Sequence, residues 1–137
     1  MFNGYNSCVF AYGATGTGKT HTMLGNKDSN DKGIIYMCLQ EIFERKKKMQ
    51  KNYDVKLTVS YVEIYNENIR DLLVKNTKGK YLSLRDSASK NVKIAGAKVI
   101  QVENTEDIMN LLYQGNERRK TESTGANKVS SRSHAIF

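Results

Sequence analysis

Two spacings of apolar residues alternate along this chain. Cys8-Val9-Phe10-Ala11-Tyr12 is a continuous apolar run closed by Gly13, the pattern of a short buried strand. A glycine-rich turn follows, and a helix opens near Lys19. The polar stretch 26–32 reads as a loop. From Gly33, residues Ile35, Cys38, Leu39, Ile42 and Phe43 recur at helical spacing and define one buried face. That helix closes on Arg45-Lys46-Lys47-Lys48, where cations complement the negative end of the helix dipole. The run reads as a solvated last turn or, alternatively, as a patch for a partner.

Farther on, Val55, Leu57, Val59 and Tyr61 alternate as a strand, and Val62 and Ile64 continue on the opposite face. Apolar residues on both faces predict a central strand covered by helices. Leu82 with Leu84, then Val92, Ile94, Val99 and Val102, predict two further β segments. Asn104 followed three residues later by Asp107 resembles a capping box, and the helix it opens carries Ile108, Leu111 and Leu112 on one face. Strand and helix interleave, so the fold class is α/β.

Composition narrows the picture only a little. The chain has 137 residues, 39% hydrophobic and 26% charged, which is a globular composition and a single-domain length. It contains no proline, so glycine and Asn/Asp clusters mark its breaks. The opening run 1–6 lacks the basic flank and apolar core of a secretory leader. No apolar window approaches the roughly 20 residues needed to span a bilayer, so no membrane insertion is expected. Cys8 and Cys38 each lie among apolar neighbours and read as buried, reduced thiols. The expectation is an intracellular, soluble protein. A net charge of +8 implies attraction to something acidic, whether nucleic acid, an anionic membrane or an acidic protein polymer. Charge alone does not choose.

Chemistry enters at Gly13-Ala14-Thr15-Gly16-Thr17-Gly18-Lys19-Thr20, which fits the Walker A pattern. Glycines let the backbone form a nest of N–H groups around phosphate oxygens, and the following helix aims its positive end at the same anion. Lys19 is placed to reach the β- and γ-phosphates, and the Thr20 hydroxyl to ligate Mg²⁺. A strand before the loop and a helix after it are the context this motif needs. A phosphate-binding loop by itself does not separate kinase, GTPase, helicase and motor.

Three further blocks narrow the choice. Asn127-Lys128-Val129-Ser130-Ser131-Arg132-Ser133-His134 resembles the switch I motif of kinesins. Gly4-Tyr5-Asn6, leading through the loop to His21-Thr22-Met23, resembles the same family's P-loop surroundings. Ser60-Tyr61-Val62-Glu63-Ile64-Tyr65-Asn66-Glu67 with Ile69-Arg70-Asp71-Leu72-Leu73 resembles a third kinesin block. The order and spacing also match, so the resemblance spans essentially the whole chain.

The resemblance implies roles for matching positions. Gly13, Ala14, Thr15, Gly16, Thr17, Gly18, Lys19 and Thr20 would hold the phosphates of ATP, and His21 would lie beside the adenine. Ser131, with Thr20, would approach Mg²⁺; Ser130 and Asn127 would order the loop around the phosphates and the attacking water. Arg132 would pair with a glutamate of switch II. Such a loop is an order–disorder switch held by the γ-phosphate. Read without the family, His21 is a surface residue on a first helical turn, Ser130 and Ser131 are turn formers, and Arg132 is a solvated charge. Glu63 and Glu67 match a structural stretch and are given no catalytic role; Tyr61 and Tyr65 read as packing residues.

The family pattern also implies what residues 1–137 do not contain. The expected unit is a partial motor domain, with a P-loop at 13–20 and switch I at 127–134. Switch II, the principal microtubule-binding elements and the first strand of the adenine pocket are missing. A P-loop NTPase-like central sheet, mostly parallel or mixed and flanked by helices, would then be incomplete at both ends. Such a chain would hold Mg-ATP weakly, hydrolyse it negligibly on its own and expose unpaired sheet edges. The parent would be an ATP-hydrolysing microtubule motor of the cytoplasm and cytoskeleton, spindle and axoneme included, dimeric through a stalk. Residues 14–17 and 22–25 resemble plus-end kinesins that regulate microtubule length. Lys90-Asn91-Val92-Lys93, with Lys98, fall where the family places a microtubule-facing loop, and read equally as solvated strand lysines. The alternatives are a non-catalytic microtubule-binding protein with a truncated head and a nucleic-acid-associated P-loop ATPase. Switch I argues against the latter, so no nucleic-acid partner is expected.

Overall fold

In the computed structural model, which describes residues 4–29, 31–75, 77, 79–86, 92–121 and 132–137, glycine punctuation shapes the first stretch of chain. The chain divides into two units, Met1–Arg45 and Lys46–Phe137. In the first, helix α1 spans Lys19–Leu24 and helix α2, Ile34–Met49, begins. Between them, Asn26 N–H donates to the Asp31 carbonyl at 2.9 Å and Gly25 bridges Lys32, folding the connection into a narrow turn. On α2, Leu39 is buried and Ile35, Ile42 and Phe43 are half-buried, as the helical spacing predicts.

Two expectations for this unit are corrected. Residues 8–12 are not a strand, and Phe10 and Tyr12 are 79% and 96% exposed. A strand exists only by pairing, and no partner for this run lies among the described residues. Cys8 and Cys38 are exposed rather than buried.

The second unit carries seven strands among the described residues, the last turn of α2 and helix α3. Strand β1 (Leu57–Val59) pairs antiparallel with β6 (Ile100–Val102). Strand β2 (Val62–Tyr65) is the middle of a three-stranded sheet, flanked antiparallel by β3 (Asn68–Asp71) and β7 (Ser133–Ile136). Its central position is what the two-faced apolar pattern predicts, although the expected single strand from Val55 to Ile64 is broken into β1 and β2. Strands β4 (Ser83–Asp86) and β5 (Val92–Ala95) form a separate hairpin.

Helix α3 spans Thr105–Thr121, and its start is capped as the sequence predicts. Asp107 N–H donates to Asn104 Oδ1 at 2.8 Å, and the Asn104 amide returns a hydrogen bond to the Asp107 carboxylate at 2.9 Å. Thr105, Ile108, Met109, Leu112 and Gly115 are buried, one stripe at helical spacing. A Cβ on Gly115 would lie 2.5 Å from the Tyr61 ring, so glycine is what lets this helix approach Tyr61, the residue before β2. Tyr61 is buried and meets Phe137 edge-on at 5.9 Å. Burial pushes its hydroxyl above the ordinary tyrosine value, with Glu63 adding to the rise and Arg119 opposing it.

The lysine run ending α2 is corrected at one position. Lys46 is 5% exposed, and its ammonium meets Glu103 at 2.9 Å. Leu39, Ile42, Phe43 and Lys46 share one helical face, so the signal was present in the spacing. Among the described residues, no helix is long and apolar enough to cross a membrane.

Candidate functional site

The first unit builds a loop whose geometry follows from its glycines and one lysine. Gly18 caps α1 in the left-handed conformation (φ 87°, ψ 12°), which costs a side-chain-bearing residue about 1 kcal/mol or more. No side chain caps the helix start and no acidic residue sits in its first turn, so nothing negative in α1 competes there for an anion. The Ala14 carbonyl accepts from the Thr17 hydroxyl at 2.8 Å. The Lys19 ammonium donates to the Gly13 and Ala14 carbonyls at 2.8 and 2.7 Å, which lays the cation across the turn. Gly13, Ala14, Thr15, Gly16, Thr17, Gly18 and Thr20 are exposed and Lys19 is half-buried. With only six residues, α1 has a weak dipole. Lys19 therefore supplies most of the positive charge at this loop.

His21 lies on the first turn of α1, and its Nε2 sits 2.9 Å from Asp31 Oδ2, both side chains being more than half exposed. The narrow turn after α1 brings Asp31 back to it. That pairing orients the imidazole; it was not legible in the sequence.

Of the residues expected at the far end of the chain, Asn127, Ser130 and Ser131 lie outside the described residues. Arg132 is exposed. Ser133 and His134 open β7, opposite Tyr65 and Ile64 of β2.

Sequence reasoning treated Glu63 as a strand residue without a role in chemistry and passed over Arg119. The structure makes them the polar centre of the second unit. Glu63 is 1% exposed and pairs with Arg70, its cross-strand partner on β3. Its other oxygen accepts from Arg119 Nε at 3.0 Å. Arg119 also donates to the Ser133 hydroxyl at 2.9 Å and to the Ser133 carbonyl at 3.0 Å. Asp71 is buried as well, accepting from the Leu73 and Lys98 N–H groups at 2.8 and 2.6 Å. Arg118 donates to the Leu72 carbonyl. Charged side chains here are buried only with partners, as their desolvation demands.

The chain is similar to known proteins along its whole length. The pattern defining the family described as "Kinesin motor domain" matches residues 1–137. Kinesin-like protein 6 of Schizosaccharomyces pombe is 44% identical over all of this chain, which spans 18% of that protein. Kinesin-like protein KIP3 of Saccharomyces cerevisiae is 43% identical over all of the chain, which covers 17% of it. For kinesin-like protein KIF27 of Mus musculus the values are 47% and 10%. A solved structure of a fast kinesin superimposes with a TM-score of 0.87 at 35% identity, over 98% of this chain and 38% of that one. The chain thus spans less than a fifth of the length of these curated relatives.

Proposed function

This chain belongs to the kinesin motor domain family, and on that premise we propose that it holds Mg-ATP as part of a microtubule motor. The observation that carries the proposal is the Lys19 ammonium laid across the Gly13 and Ala14 carbonyls at 2.8 and 2.7 Å. A cation already held over the turn by two neutral acceptors exchanges them for phosphate oxygens, which bind it more strongly. The donor set fits a nucleotide: an exposed glycine loop, a helix start without a carboxylate, one lysine and the Thr20 hydroxyl beside it. Thr20 and Ser131 would hold Mg²⁺, which when bound neutralises charge on the phosphates. Asn127 and Ser130 would order the γ-phosphate side, Arg132 would pair with a glutamate of switch II, and His21, steadied by Asp31, would flank the adenine.

The hairpin supports a microtubule partner. Arg85 and Lys93 face each other directly across β4 and β5. Like charges in that register destabilise an isolated hairpin and suit one that meets an acidic surface. By its family, the protein would work on the microtubules of the cytoplasm, as a dimer through a stalk, and would not bind nucleic acid. Residues 14–17 and 22–25 favour a plus-end, length-regulating motor.

The test is equilibrium binding of a fluorescent ATP analogue with Mg²⁺ to the full protein containing this chain. Lys19→Ala should weaken binding by about ten- to a hundredfold, the worth of a charged hydrogen-bond donor. Unchanged affinity would remove the loop as the nucleotide site. The polypeptide 1–137 alone should bind the analogue and show no microtubule-stimulated turnover.

A further inference from the structure

We infer that Glu63 and Arg119 are positioning residues for ATP turnover, acting by tying together the two stems of the segment that carries Asn127 to Arg132; this inference rests on the proposed motor function. Residues 119 and 133 flank that segment, one near the C-terminal end of α3 and the other opening β7. Arg119 spans them. Its guanidinium holds the hydroxyl of Ser133 at 2.9 Å and the carbonyl of Ser133 at 3.0 Å.

Arg119 is itself fixed. Its Nε is 3.0 Å from Glu63 Oε1, and their side chains are 12% and 2% exposed. The second Glu63 oxygen is taken by Arg70 on the neighbouring strand. Glu63 sits on β2, which Ala135 of β7 faces directly. Thus a single buried carboxylate sets the side chain that sets the first residue after Arg132. A largely desolvated guanidinium with several fixed acceptors favours one arrangement, because others cost it charge-assisted hydrogen bonds. The Arg119 contacts therefore fix the distance between the two stems. Misplacing groups by about 1 Å can cost a hundredfold in rate even when the change is remote from the reacting atoms.

The test compares Arg119→Lys and Ser133→Ala with wild type in the full protein, measuring ATP turnover, ADP affinity and the thermal midpoint. Lysine keeps the charge against Glu63 but cannot span the carboxylate and both Ser133 acceptors at once. Ser133→Ala leaves the Glu63 pair intact, so it tests the link even if Arg119→Lys fails to fold. The expected result is a fall in kcat of about ten- to a hundredfold for Arg119→Lys and a smaller fall for Ser133→Ala. ADP affinity, which reports the loop 13–20, should change less than about threefold, and the thermal midpoint of Ser133→Ala should stay near wild type. Wild-type kcat in both variants overturns the inference, as does a loss of kcat matched by equal loss of ADP affinity. A wild-type protein that neither binds nor turns over ATP overturns the motor function, and the inference with it.

Discussion

The loop 13–20 and the polar centre around Glu63 are built on opposite principles. In the loop, partners are close in sequence: Lys19 reaches Gly13 and Ala14, Thr17 reaches Ala14, and all are exposed or half-buried. Around Glu63, one partner is near and one far: Arg70 lies 7 residues away on β3 and Arg119 lies 56 residues away, and the carboxylate is almost wholly desolvated. A loop that must meet a charged ligand keeps its cation accessible and its bonds exchangeable. A strut that must hold a segment in register buries its charges, where breaking one bond is expensive. On the proposed reading, binding and positioning are thus separated in the chain, and stability belongs to the second.

The sharpest way to break that contrast is to exchange stability effects between the regions. Glu63→Ala leaves the Arg70 and Arg119 guanidinium groups without their shared buried counter-charge and should cost about 3–5 kcal/mol. Lys19→Ala removes only exposed, local hydrogen bonds and should stay within about 0.5 kcal/mol of wild type while nucleotide binding weakens about ten- to a hundredfold. Chemical denaturation of the full protein checks both. A Lys19→Ala loss as large as that of Glu63→Ala would erase the distinction.

Second in size is Gly115→Ala. The new methyl would lie 2.5 Å from one Tyr61 ring atom and 3.3 Å from Leu72 Cβ, between a buried ring and a buried aliphatic chain. Overpacking of this kind costs about 1–3 kcal/mol, more than the helix propensity gained from alanine. A stabilised variant would mean that α3 and β2 yield easily, and that the strut is softer than its burial implies.

These differences explain which parts of the molecule were legible in the sequence. The loop 13–20 was readable as a glycine turn because its contacts, Lys19 to Gly13 and Ala14 and Thr17 to Ala14, all lie in one short stretch. The start of α3 was readable for the same reason: Asn104 and Asp107 cap each other locally. So was the buried face of α3, where Met109 falls on the stripe with Ile108 and Leu112, although Gly115 has no side chain to mark its place there. Glu63 was not readable, because a glutamate between Val62 and Ile64 gives no sign of an arginine 56 residues away. Residues 8–12 misled for the converse reason. Their apolar run specifies a strand only when something pairs with it. Lys46 was legible and overlooked: its charge suggested water, while its position relative to Leu39 and Ile42 placed it on the buried face.

The smallest expected effect lies at Lys46 itself and tests whether long-range ion pairs carry stability here when one partner is exposed. The Glu103 side chain is 63% exposed against 7% for Lys46. Its carboxyl is held below the ordinary 4.5, first by the Gln101 amide and then by the Lys46 ammonium. A carboxylate with a depressed folded value stabilises the fold above the unfolded value, and that contribution disappears as pH falls through the folded value. The pair should therefore contribute fully at neutral pH and fade below about 4.5. Solvent screening at the exposed Glu103 carboxylate keeps the contribution small. Thermal midpoints of wild type and Glu103→Gln, followed from neutral pH downward, should differ modestly at first and converge in acid. Convergence on raising the pH would reverse the sign and show that Glu103 does not stabilise the fold as a carboxylate. A constant gap would assign the effect to the amide's altered hydrogen bonding, leaving the buried carboxylate of Glu63 as the ionic anchor of this unit.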